Sequence, residues 1–419
     1  MLSYPPHLVR QYLERFNIGA GHTVLDPFCG TGTTLVECKK LKIASIGIEP
    51  NPMAHFASTV KTQWSVSGQE LLAVARKIAE ATSVELVNQG YPDEQPTPLF
   101  NEACITAGNS PLLTLDEAQL SLLLRASISP VPLHKTLVLL RQINRHTTPP
   151  LADYCQLALA RALVEAIGNL HFGPEVGEGK PKADAAVVRE WFTRLSTIAT
   201  DLDVLRRIPP VACEVLAGDA RAVVGLSPGS IDAVITSPLY PNEKDYTRTT
   251  RLESVMLGFM KNKADLRRFK QSLVRSNTRN VYRGDDDHHW VQSHPEIQRI
   301  AGEIERRRLE KGKTSGFERM YATVTRSYFG GMARHLENLK PLLRPGARLA
   351  YVVGDQASYL RVMIRTGEIL ADIAASRGYR VSGIDLFRTR LATATGQQLR
   401  EEVVLLEWPG DRKMGIKKR

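Results

Sequence analysis

No stretch of this 419-residue chain approaches the ~18 uncharged apolar residues of a membrane-spanning helix. Its five cysteines are an odd number and include no CxxC pair, so neither a disulfide framework nor a zinc ribbon is expected. The opening segment MLSYPPHLVRQYLERF has prolines and charges where a secretion signal needs an apolar stretch, so a cytoplasmic protein without membrane partners is expected. The helical segments between about residues 61 and 205 have no constant period, so no internal repeat is expected there. With 43% apolar and 24% charged residues the composition is that of an ordinary globular protein, not of a disordered one. The length allows two or three domains and a sizeable core.

Charge is present in excess. Lys and Arg total 55 against 44 Asp and Glu, a net of +11. Such an excess points toward nucleic acid, whose phosphates release counterions when neutralised. Between Lys261 and Met320, 15 bases stand against 9 acids, so +6 of the +11 lies in about one-seventh of the chain. The tail 411–419 adds five bases against one acid.

The pattern of apolar residues divides the chain further. HLVRQYLERF has helical spacing, and TVLDPF, TLVECKKL and ASIGIE then read as strand, helix and strand. From about residue 61 to 205 helical periodicity dominates, in QELLAVARKIAEAT, LDEAQLSLLLRA, LADYCQLALARALVEAIG and DAAVVREWFTRLSTIATDL, with Pro/Gly breaks between. Strands return in ACEVLAGDARAV and SIDAVITSPLY. They recur, with helices between, in LAYVVGD, GYRVSGIDLFRT and EEVVLLEW. The expected fold is α/β, one sheet interrupted by two mostly helical insertions. The sheet domain is expected over 1–62, 206–250 and 326–410, and the insertions over 63–205 and 251–325.

Three acids stand at expected strand ends. Asp26 precedes Pro27, Phe28, Gly30 and Gly32 in DPFCGTGTT, a strand-to-helix turn where glycines let backbone pass close to a ligand. The turn carries no GKS or GKT, which excludes a nucleotide phosphate loop, and Leu35 replaces the third glycine of GxGxxG. Glu49, 23 residues after Asp26, is placed for ribose hydroxyls. Asp219 ends a further strand. Eighteen residues beyond it, a strand delivers Ser237-Pro238-Leu239-Tyr240 at the carboxyl edge, where parallel sheets bind ligands.

DPFCGTGTT resembles motif I of the S-adenosylmethionine-dependent methyltransferases, and SPLY resembles the [DNS]PP[YFW] motif of the exocyclic amino methyltransferases of DNA. PNEKDYTR and GAGHTVLDPFCGTGTTLVE are similar to segments of bacterial members. The resemblance covers roughly 1–60, 211–255 and 325–410. It implies a Rossmann-like class I methyltransferase sheet and S-adenosylmethionine as cofactor. Asp26 would meet the methionine ammonium, and Pro27, Phe28, Gly30, Gly32 and Thr33 would line the loop. Glu49 and Pro50 would face the ribose, Asp219 and Ala220 the adenine. Tyr4, in YPPH, resembles the N-terminal motif against the methionine end. Ser237 Oγ and the Pro238 carbonyl would accept the N–H groups of the target amine, and Tyr240 would stack on the flipped base. Leu239 stands where the family has a second proline, which loosens the turn and raises the possibility of a weakened enzyme.

The serine favours N4 of cytosine over N6 of adenine. RNA or protein amino groups, and a non-catalytic cofactor-gated DNA binder, are the competing readings. Double-stranded DNA is the expected partner, contacted by Asn242, Asp245, Tyr246 and Arg248 and, in the basic segment, by Arg306, Arg307 and Arg308. Arg388 or Arg390 is a further possible phosphate contact, and Gly354-Asp355 a possible pocket wall. No metal is expected, the run Asp286-Asp287-His288-His289 reading as a loop. Cys29 reads as a packed small residue, since no Pro-Cys dipeptide of the C5-cytosine enzymes occurs. No PD…ExK nuclease motif stands out, so a separate restriction or defence partner is the expectation.

Overall fold

The computed structural model describes residues 4–94, 110–172, 176–242, 245–391, 396 and 398–410. The basic tail 411–419 lies outside them. The chain forms two compact units. The first comprises 1–58, 210–245 and 268–419, the second 59–209 and 246–267.

The first unit is built on a seven-stranded sheet. Its strands are β1 (Thr23–Asp26), β2 (Ala44–Glu49), β3 (Cys213–Ala217), β4 (Ile231–Thr236), β5 (Leu343–Gly354), β6 (Arg380–Leu391) and β7 (Gln398–Trp408). Their spatial order is β3-β2-β1-β4-β5-β7-β6. The pairs β1–β2, β1–β4, β2–β3 and β4–β5 are parallel; β7 runs antiparallel to both β5 and β6. The order reverses at β1, which has β2 on one side and β4 on the other. Such a switch point opens a crevice beyond the carboxyl ends of the strands.

Both faces of the sheet are covered, which is why the central strands read as continuous apolar runs. On one face, helix α1 (Pro6–Arg15) lays Leu8, Val9, Tyr12 and Leu13 against Ala233, Ile235, Ala350 and Val352. On the other, the helices Pro295–Glu310, Tyr321–Leu339 and Thr366–Ser376 pack with Val234, Leu349 and Val353.

The expected insertion over 251–325 is divided by the structure. Residues 246–267 belong to the second unit and 268–325 to the sheet unit. The cause is visible in the helix Pro295–Glu310, whose Ile297, Ile300, Ala301 and Ile304 form a buried stripe one helical turn apart. The charge excess of the segment masks that stripe.

The second unit is largely the helices Gly68–Asn88, Pro130–His146, Leu151–Ala162 and Val187–Leu205. Trp191 is fully buried and donates from Nε1 to the Cys155 carbonyl at 2.9 Å. Pro130–His146 escapes the sequence reading because prolines open it, yet its first-turn N–H groups need no intrahelical partner. Conversely, only Glu117–Leu120 of LDEAQLSLLLRA is helical; the Ser121 hydroxyl takes the Ala118 carbonyl at its end.

Glu253 of the second unit is wholly buried, and neither carboxylate oxygen has a hydrogen-bond partner among the described residues. Burial pushes its carboxyl up to about 7 from an ordinary 4.5. The folded chain therefore holds this proton where the unfolded chain has lost it. The stability it contributes is complete below about pH 4.5 and is lost as pH rises through 7. Glu253→Gln removes the charge and keeps the shape. It is expected to stabilise the protein at about pH 8 by ~1–3 kcal/mol and to make little difference at about pH 5. Denaturant unfolding at the two pH values measures this, and equal stabilities at the higher one would refute it.

Candidate active site

The turn from β1 into helix α2 (Thr33–Lys40) is shaped by glycines and by one buried acid. Gly30 has φ +53° and Gly32 φ +82°, left-handed conformations that favour glycine. A Cβ on Gly32 would lie 2.9 Å from Ser58 Cβ, whereas one on Gly30 would meet nothing within 4 Å. The Gly30 side of the turn is thus open. Asp26 is wholly buried. Its Oδ1 accepts from the Thr236 hydroxyl at 2.6 Å and the Phe28 amide at 3.2 Å, and its Oδ2 from Thr34. Burial pushes its carboxyl up to about 6, and these three donors hold it down from higher. Its oxygens face the turn and the end of β4, so it ties those elements together. Tyr4 joins them through hydrogen bonds to Thr34 and, at 3.4 Å, to the Ile235 carbonyl. Pro27 and Cys29 are buried, and burial pushes the Cys29 thiol well above its usual range, as suits a packed residue. Thr33 opens α2 and is half-buried.

At the end of β2, Glu49 accepts from the Gly30 and Asn51 amides, each at 2.8 Å. Burial raises its carboxyl to about 7 and the two amides counter this. Glu49 therefore braces the glycine turn from the neighbouring strand, and Pro50 follows it half-buried.

Beyond β3, Asp219 is bonded through both oxygens to Arg221, and Arg221 reaches Asp287 at 2.5 Å. Asp287 also lies 3.4 Å from Arg334, which accounts for it as an ion-pair partner. His335 fixes the adjacent Ala220. Burial lowers the imidazole to about 4, so the ring is neutral. One ring nitrogen meets the Ala220 carbonyl at 2.7 Å and the other the Tyr351 hydroxyl at 2.7 Å. The neutral ring therefore donates to Ala220 from Nδ1 and accepts from Tyr351 at Nε2. Phe28 packs edge-on against it at 5.1 Å, linking the glycine turn to the β3 end.

Beyond β4, Ser237 donates its hydroxyl proton to the Val352 carbonyl at 3.2 Å. That leaves Oγ as an acceptor. Burial, and after it the nearby Glu401, raises the Tyr240 phenol to about 12. Its ring fits because residue 354 is glycine: a Cβ there would lie 3.0 Å from Tyr240 Cε2. Pro238 is buried and Leu239 half-buried.

Tyr4, Asp26, Pro27, Phe28, Gly30, Gly32, Thr33, Glu49, Pro50, Asp219, Ala220 and Ser237–Tyr240 all stand at the carboxyl edge of β1–β4 or against it. Asn242 lies there too, its amide donating to the Tyr240 carbonyl at 2.8 Å. Asp245 is buried 3.5 Å from Lys270 Nζ. Tyr246 and Arg248 fall in the second unit, on the short helix Tyr246–Thr249. Arg306, Arg307 and Arg308 do not form a free cationic face. Arg306 pairs with Glu303 and Glu310, Arg307 with Glu303 and Arg308 with Glu305, all on one helix. Asp355 is buried between Arg365 at 2.5 Å and Arg400 at 3.1 Å, so it is a wall held by ion pairs. The sequence reading missed Thr34, Thr236, Arg221 and His335. The two threonines stand beside quoted motifs; His335 has no local signal, being 115 residues from Ala220.

Residues 3–58, which carry the glycine turn and Glu49, match the family model N6_N4_Mtase, a DNA methylase. Over 97% of this chain and 84% of the relative, the sequence is 26% identical to the Type II methyltransferase M.BsoBI of Geobacillus stearothermophilus. It is 46% identical to the Type II methyltransferase M.MjaII of Methanocaldococcus jannaschii over 14% of this chain and 11% of the relative. The Type II methyltransferase M.AvaI of Nostoc sp. is 27% identical over 40% of this chain and 34% of its own length.

Proposed function

We propose that the chain is an amino DNA methyltransferase of the N4/N6 family with S-adenosylmethionine as methyl donor, and that it methylates N4 of cytosine at a specific DNA sequence, with the target base flipped out of the duplex. One observation carries this reading: the Ser237 hydroxyl spends its proton on the Val352 carbonyl, so its oxygen is an acceptor at the carboxyl edge beside the glycine turn.

The residues fit the cofactor. The Gly30 side of the turn is open, with no protein atom within 4 Å of where a Cβ would stand, and the Glu49 carboxylate braces the turn beside it. Gly30, Gly32, Thr33, Glu49, Pro50, Asp219, Ala220 and Tyr4 would hold the cofactor, while Asp26, Pro27 and Phe28 would keep the turn in shape. When bound, S-adenosylmethionine supplies a methyl group activated on a sulfonium sulfur.

An exocyclic amine is a poor nucleophile because its lone pair is delocalised into the ring. Ser237 Oγ and the Pro238 carbonyl would each accept one of its N–H groups and so favour a more tetrahedral nitrogen. This is orientation and charge stabilisation, with no covalent intermediate. Tyr240 would stack on the base, its ring seated against Gly354. Leu239 keeps the acceptors and the ring while giving up the stiffness of a second proline. With Type II methyltransferases among the relatives, the setting we propose is cytoplasmic protection of DNA alongside a separate restriction or defence partner.

Modified-base sequencing of DNA from cells expressing the protein tests this. N4-methylcytosine at one fixed sequence is the expected result. N6-methyladenine would shift the base. Unmodified DNA, with S-adenosylmethionine still bound, would transfer the reading to RNA or protein amino groups or to a site silenced by Leu239.

A further inference from the structure

One charged group beside Tyr240 has no part in that scheme. The edge strand β6 places Arg388 opposite Glu401 of β7. Arg388 Nε lies 2.6 Å from one Glu401 oxygen, and Arg390 Nε 3.6 Å from the other. The glutamate side chain is only 11% exposed, the arginines 59% and 46%. All three charges act on the Tyr240 phenol. Glu401 is also the cross-strand partner of Gly354, the residue on which the Tyr240 ring rests. The Arg388 guanidinium is steadied over the Phe387 ring at 5.3 Å.

This trio differs from Arg306–Arg308. There three glutamates answer three arginines within one helix; here one carboxylate serves two exposed guanidinium groups, and a positive charge is left over. Glu401 engages each arginine at Nε, on the inner side. The terminal N–H groups of a guanidinium then remain for a second anion, and their fork matches phosphate geometry.

We infer that Arg388 and Arg390 bind the DNA backbone phosphates flanking the nucleotide whose base stacks on Tyr240, with the Glu401 carboxylate offsetting one of their two charges. The inference rests on the DNA methyltransferase reading and adds to it a binding element on the β6–β7 edge.

The test is the affinity of the full-length protein for a labelled random-sequence DNA duplex as a function of salt. Phosphate contacts are independent of sequence, and each contributes about 0.9 to the slope of log affinity against log salt. Arg388→Ala and Arg390→Ala are each expected to weaken binding by about three- to tenfold and to flatten the slope by about one, and the pair by about two. Glu401→Gln is expected to act in the opposite direction, tightening binding several-fold. A purely structural ion pair would move all three variants the same way. If the wild-type protein binds duplex DNA and the arginine variants keep its slope, this inference fails and the methyltransferase reading stands. If the wild-type protein binds S-adenosylmethionine but no duplex, the reading beneath it fails as well.

Discussion

Ser237→Ala is expected to lower turnover by about 10²–10³-fold while S-adenosylmethionine binds as tightly as before. The substitution removes one oxygen and leaves almost no cavity, so the fold has little reason to respond. What disappears is an acceptor whose own proton is committed to the Val352 carbonyl. On the proposed reading the Pro238 carbonyl would remain and hold only one of the two amine N–H groups. The lone pair then stays delocalised, and the loss falls on the chemical step. Single-turnover methylation of a duplex carrying the modified sequence, paired with calorimetry of cofactor binding, separates the two effects. Wild-type turnover in Ser237→Ala would remove this residue from the reaction; loss of cofactor binding would make its role structural.

Asp26→Ala is expected to abolish measurable cofactor binding and to destabilise the sheet unit by ~2–4 kcal/mol. The carboxylate is the common acceptor for the Thr236 and Thr34 hydroxyls and the Phe28 amide, all within the protein interior. Each buried donor left without an acceptor costs about 1–3 kcal/mol, and relief from burying a carboxyl offsets part of the sum. Gly30→Ala distinguishes a collapsed turn from a blocked one. Its Cβ meets no protein atom within 4 Å, so the cost to folding is about 1 kcal/mol from the positive φ. Cofactor affinity should nonetheless fall at least about tenfold on the proposed reading, because the new methyl projects into the open side of the turn. Calorimetry and thermal unfolding of both variants check this. Normal affinity in Asp26→Ala would mean that the turn does not form the cofactor site.

Much of the site is legible along the chain because its elements are local. An apolar run ending in an acid, a glycine turn and a helix must form the opening of a parallel sheet. Asp26, Glu49, Asp219 and Ser237 could therefore be assigned to strand ends from order alone. The amphipathic stripe of Pro295–Glu310 was legible in principle, and so were the glutamates three and four positions from Arg306–Arg308. A charge sum over 60 residues averages both away, so the segment reads as a free basic face when it is a paired, half-buried helix.

Other features depend on partners that no local pattern announces. Asp26 is enclosed by two threonines and an amide. Thr236 reaches it from a strand 210 residues away. Asp219 acquires Arg221 and, through it, Asp287. His335 holds Ala220 from 115 residues away, and Glu401 comes to rest beside Gly354 and Tyr240 only once β7 has paired with β5. The chain's residue types and order thus settle which strands end in chemistry, since hydrophobic periodicity and glycine turns act over a few residues. Which of those acids is braced, which is paired, and which arginines keep a spare charge is settled by packing, because hydrogen bonds and ion pairs form between groups that folding alone brings within 3–4 Å.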